Sequence, residues 1–155
     1  GRYNFSSVWT VPAPPGRVLP VLADAGEWPR WWPQVRVIEE VGDGIARVGI
    51  RSVLPYRLEL TLRQLREDPA AGVLEAAIGG DLDGWARWTV TGYGYGGGGT
   101  RIGYQQQVVV RRPLLLRANH AAMMRDGERG LRRHLANPDR PEPPRTVTLP
   151  QPQGP

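Results

Sequence analysis

Residues 3–11 alternate Tyr3, Phe5, Ser7, Trp9 and Val11 against Asn4, Ser6, Val8 and Thr10. A period of two of this kind predicts a strand whose inner face is mainly aromatic. Prolines from Pro12 to Pro15 stop it, and Pro15 suits the first turn of a helix, where a missing N–H costs nothing. That helix runs toward Ala23, but Pro20 interrupts it. In a regular helix an internal proline costs about 3 kcal/mol, so a kink or a late start is expected. The next segment, EWPRWWP at 27–33, reads as a short aromatic helix or turn held between two prolines.

Strand-like runs follow at 35–41, 46–54, 57–66, 73–78 and 84–92, and a last one at 100–112. Turn residues separate them: Gly42, Asp43 and Gly44, then Pro55, then Glu67, Asp68 and Pro69, and finally the glycine-rich stretch 92–99. The alternation is clearest where Leu58, Leu60 and Leu62 oppose Arg57, Glu59, Thr61 and Arg63, which predicts buried leucines and solvated charges. Short connections between successive strands imply antiparallel pairing, because parallel neighbours need long crossovers. Pro113 ends the sheet and opens the longest helical pattern, 114–136. Leu116, His120, Met124, Gly127, Leu131 and Leu135 share one face of it, and arginines mostly occupy the other.

After Asn137 the pattern is lost, and seven of the last nineteen residues are proline. A segment so poor in apolar residues cannot pack a core and reads as an extended or disordered tail, with 146–149 the one stretch suited to dock on a sheet edge. The expected organisation is one domain over residues 1–136 and a proline-rich tail over 137–155.

Composition narrows the chemistry. The 155 residues contain no cysteine and no lysine, and all twenty basic residues are arginine. That excludes disulfides, thiolate metal sites, Schiff-base lysines and phosphate-loop lysines. Two histidines, His120 and His134, leave little for a metal site, and no cofactor is expected. No run approaches the roughly 18 apolar residues that span a bilayer, and residues 1–15 carry no basic-then-apolar signal pattern, so no stable membrane insertion and a cytoplasmic location are expected. The net charge of +5 is spread from Arg2 to Arg145 rather than clustered. It reads as a solvated outer face, not a nucleic-acid surface.

Several short motifs then fall in an informative order. WTVPAPP at 9–15, Leu22 to Asp24, and WPRWWP at 28–33 resemble the opening of the polyketide cyclase/dehydrase-like group of the START-like (SRPBCC) superfamily. GDLDG at 80–84 with Trp88, then GTRIGY at 99–104, resemble its last hairpin. Asn119, His120, Met123, Met124, Gly130 and Leu131 resemble its final helix. The resemblance covers residues 3–136, and Pro20 departs from it. It implies an α+β helix-grip fold, in which a curved antiparallel sheet of about seven strands wraps a long C-terminal helix, with two short helices after the first strand. It also implies an internal cavity for a hydrophobic small molecule such as a lipid, quinone or polyketide; a minority of the superfamily are enzymes. Fold does not settle function.

In that frame the cavity lies between the concave sheet face and the last helix. Strand alternation nominates Ser52, Leu54, Tyr56, Leu58, Leu60, Ala86, Trp88, Tyr104 and Gln106 as walls. The helix adds His120 and Met124, Met123 being turned away. A cyclase or dehydratase would use His120 for proton transfer with Tyr104 or Tyr56 polarising a carbonyl. No partner carboxylate is evident at inward-facing spacing, so a histidine that orients helix against sheet is the favoured reading. Trp31 and Trp32 are a possible gate, with packing of the short aromatic helix preferred. The glycine run at 96–99 lacks a following Lys-Ser/Thr and leads into a strand, which makes it a hairpin tip. Asp81 and Asp83 read as a solvated turn rather than a catalytic pair.

Overall fold

The computed structural model describes residues 2–51, 57–110 and 116–136. Seven strands form one antiparallel sheet: β1 Arg2–Val11, β2 Val35–Gly42, β3 Ile45–Arg51, β4 Arg57–Asp68, β5 Val73–Gly80, β6 Leu82–Tyr93 and β7 Gly99–Val110. Their order across the sheet is β1-β7-β6-β5-β4-β3-β2. Helix α1, Pro15–Ala23, and a 3₁₀ segment, Ala25–Arg30, follow β1, and the long helix α2 spans Leu116–Ala136. The sheet curls into a half-barrel, with α2 held against its concave side.

The alternation in sequence maps directly onto the two faces. In β7, Thr100, Ile102, Tyr104, Gln106, Val108 and Val110 are buried, while Arg101, Gln105 and Val109 reach solvent. In β1, Trp9 and Val11 are buried and Asn4, Ser6 and Val8 are exposed. Arg57, Glu59 and Arg63 are likewise exposed, but Leu58, Leu60 and Leu62 are only half-buried. The three leucines face inward, packed against the edge of the core and bordering a hollow. The β4–β5 register slips between Gln64 and Arg66, and Leu65 is left exposed at that irregularity.

α1 begins at Pro15, not late, and continues through Pro20. The Pro14 carbonyl accepts from Arg17 N at 2.9 Å and Val18 N at 3.3 Å, closing the first turn. Pro20 lies on the exposed side of the helix. Val18, Leu19 and Leu22 anchor the other face.

α2 closes on β1 and the tryptophan segment more tightly than any residue with a side chain would allow. A Cβ on Gly130 would lie 1.5 Å from the Trp31 carbonyl oxygen, and one on Gly127 2.7 Å from the Trp32 indole. The same helix covers the free edge of β1: Glu128 Oε2 accepts from Thr10 N at 3.1 Å, and Arg132 Nε donates to Thr10 O at 2.7 Å. Edge groups otherwise open to a second chain are thereby occupied. Arg17 donates to Leu135 O at 2.9 Å, satisfying a carbonyl that the end of α2 leaves over.

Candidate ligand cavity

Between the concave face and α2 lies a cavity of about 390 Å³. One wall is aliphatic, built from Val48 and Ile50 on β3, Leu58, Leu60 and Leu62 on β4, and Leu74 on β5. The opposite wall is aromatic. Trp28 and Trp32 of the 3₁₀ region, Trp88 of β6 and Tyr104 of β7 all face the hollow. Their rings form a continuous chain, with centroids 5.7 Å apart for Trp28–Trp32, 6.1 Å for Trp32–Trp88 and 4.4 Å for Trp88–Tyr104. The exposed residues Asp24, Glu40, Asp43, Arg51 and Gln64 also border it, so the cavity opens to solvent between the 3₁₀ segment and the β2–β3 turn.

Among the described residues lining the cavity, Tyr104, Gln106 and His120 form one interior polar cluster. Gln106 is buried in the centre of β7, and the Tyr104 hydroxyl donates to its Oε1. His120 Nε2 lies 3.2 Å from the same oxygen. An amide oxygen only accepts, so His120 carries its proton on Nε2 here and donates it. The imidazole is stacked on Phe5, centroids 3.9 Å apart and 15° between planes, and lies 6.0 Å from the Tyr104 ring. Burial lowers the His120 pKa to about 4 and pushes the Tyr104 phenol up. Both groups are therefore neutral around pH 7. The cluster contains no charge, and its Tyr104 O–H and His120 N–H donors are already spent on Gln106.

Of the residues nominated from sequence, the structure brings Leu58, Leu60, Ala86, Trp88, Tyr104, Gln106 and His120 together around the hollow. Ser52, Leu54 and Tyr56 lie outside the described residues. Met124 is a correction: it is buried in the core, and its neighbour Met123 lines the cavity instead. Met123 stands three residues beyond His120 and Met124 four; the helix rolls so that the Met124 side joins Leu131 and Leu135 in the core. Trp31 and Trp32 do not stand free at the mouth. Both are buried, and the Trp32 indole N–H is committed to the Met123 carbonyl at 2.9 Å. Asp81 is structural, its carboxylate accepting from Glu59 N at 2.8 Å. The role of Gln106 as the meeting point, and of Phe5 as the plate under His120, was not legible beforehand. Their inward parity was the only available signal.

A half-barrel of this topology closed by a C-terminal helix, with an apolar hollow between them, defines the helix-grip, START-like class. Residues 2–137 match the family described as polyketide cyclase/dehydrase and lipid transport, and the chain belongs to that family. Among solved structures it resembles the ZhuI aromatase/cyclase of a Streptomyces species at TM-score 0.72 and 17% identity, covering 88% of this chain and 95% of that one. A START superfamily protein from Mycobacterium smegmatis aligns at TM-score 0.69 and 13% identity, covering 88% and 99%. A conserved protein from Geobacillus kaustophilus aligns at 0.71 and 11%, covering 87% and 96%. At these identities the likeness is one of fold. No curated protein sequence matches the chain. No helix among the described residues is long and apolar enough to cross a membrane.

Proposed function

We propose that this protein binds one hydrophobic small molecule in the cavity and holds it there unchanged. The observation that carries this reading is the contrast, among the described lining residues, between an extended apolar wall and one interior polar cluster. A pocket of this size is within the range that accommodates small ligands, about 300–1,000 Å³. Its few polar groups suit orienting a ligand more than transforming it.

The state of His120 supports the same reading over a cyclase or dehydratase role. A general base works best with a pKa near the operating pH; burial holds this one down at about 4. Its Nε2–H is directed at a protein amide, and its contacts among the described residues are Gln106, Phe5 and Tyr104, none of them a carboxylate. His120 is thus a positioning residue, holding α2 against β7 and keeping the Gln106 side chain in place.

The test is native mass spectrometry of the protein purified from its own host without detergent. A retained molecule that leaves on denaturation, in a ratio of one per chain, supports the reading. A chain that emerges empty, and that stays empty after exposure to extracts of its own cells, tells against it.

A further inference from the structure

We infer that the ligand of this cavity carries an uncharged oxygen function, a hydroxyl or carbonyl, seated at the Gln106 cluster, and that free carboxylates and amines are excluded. The inference rests on the carrier reading above and narrows it to a ligand class.

Hydrogen-bond capacity provides the first argument. Gln106 Oε1 receives both the Tyr104 hydroxyl and His120 Nε2, which fills its two lone pairs. The cluster then retains lone pairs on Tyr104 Oη and His120 Nδ1 as acceptors and the Gln106 amide as donor. A hydroxyl matches this mixed set by donating and accepting at once, and a ketone or ester matches the amide donor. A carboxylate needs several donors or a cation and would face two lone pairs instead.

Charge distribution provides the second. Among the described residues bordering the cavity, the cations are Arg51 and Arg66, both exposed and placed on β3 and β4, four and three strands away from Gln106 along the sheet. Arg66 is already engaged by Asp68 at 3.0 Å and Glu75 at 3.7 Å. The carboxylates bordering the cavity, Asp24, Glu40, Asp43 and Glu75, are also away from the cluster, with Glu75 two strands and Glu40 five strands from β7. An entering anion meets like charge first, and an ammonium seated at Gln106 finds no counter-ion among the described partners of the cluster.

The cluster also reports on its own surroundings. Desolvation opposes a positive charge at His120 and a negative one at Tyr104. A ligand head group at the same place meets the same penalty for either sign. Two protein side chains of opposite acid–base character thus agree that this end of the cavity accepts only neutral groups.

The experiment is a matched series in which only the head group changes: dodecanol, methyl undecyl ketone, dodecanoate, dodecylamine and dodecane. Binding is followed at neutral pH by intrinsic tryptophan emission, since Trp28, Trp32 and Trp88 border the hollow. The alcohol and the ketone should bind at least tenfold more tightly than the acid and the amine, and more tightly than the alkane. Dodecanoate or dodecylamine binding as well as the alcohol overturns the inference. So does an alkane that equals the alcohol, although the carrier reading then stands. If none of the five binds, the carrier reading falls and the inference with it. In Gln106→Leu, which frees the Tyr104 hydroxyl and the His120 Nε2–H as donors, the preference for alcohol over acid should narrow, and a preference left unchanged in the folded variant overturns the inference.

Discussion

At the scale of single residues, Gln106 matters most. Its amide oxygen ties a strand tyrosine to a helix histidine across the cavity. Replacing it with leucine leaves two buried donors without partners, each costing about 1–3 kcal/mol. Gln106→Leu should therefore lose about 3 kcal/mol in urea unfolding, more than Gln105→Leu on the exposed face of the same strand. His120 contributes a pH dependence of definite sign. Its folded pKa of about 4 lies below the ordinary 6.5. Between these values the unfolded chain binds a proton that the folded chain refuses. Stability should fall as pH drops through that window, by up to about 3 kcal/mol, and this contribution should level off below about pH 4. Urea midpoints measured across the window should fall less steeply for His120→Gln, which keeps a hydrogen-bonding group but does not titrate. The inward parity of Gln106 and His120 is visible in the sequence. That both converge on one oxygen is not, since side-chain rotamers and helix roll decide it. The exchange of Met124 for Met123 at the cavity is the same uncertainty of roll, about one residue wide.

At the scale of elements, the strands and their faces are legible because period two is enforced wherever one face is buried. The pattern fails where a local irregularity intervenes: Leu65, apolar and exposed, sits at the register slip in β4 that alternation cannot reveal. α1 carries Pro20 on its exposed face, while the buried Val18, Leu19 and Leu22 anchor the helix on the other. The docking of α2 depends on small residues that look unremarkable in sequence. Gly130→Ala would set a methyl group 1.5 Å from the Trp31 carbonyl oxygen. Over-packing of this kind should cost about 3 kcal/mol, read as a lower denaturation midpoint with unchanged slope. Arg132→Ala removes two bonds from the edge of β1, to Thr10 O and Oγ1. Its side chain is half exposed, so the loss should be nearer 1 kcal/mol, and increased self-association through the freed edge should appear in sedimentation.

At the scale of the whole molecule, the hollow has energetic consequences of its own. A closed core would have buried Leu58, Leu60 and Leu62 completely; here they remain half-buried around about 390 Å³. The order of strands, prolines and tryptophans identifies the helix-grip class from sequence, because a container is specified by backbone pattern. What the container prefers depends on side-chain geometry and on the balance of charge inside it, and neither follows from spacing. Filling the hollow separates binding from folding. Ala86 borders it and pairs in register with Gln106. Ala86→Leu adds apolar volume there without disturbing the sheet hydrogen bonds, and the empty variant should melt at the same temperature as the parent or higher.

Calorimetric titration of dodecanol into the parent and into Ala86→Leu tests the central claim most directly. The parent should bind one molecule per chain, saturably, and the filled variant should bind at least tenfold more weakly while remaining folded. Undiminished binding to Ala86→Leu would place the ligand elsewhere on the protein, and absence of saturable binding to the parent would contradict the carrier function itself.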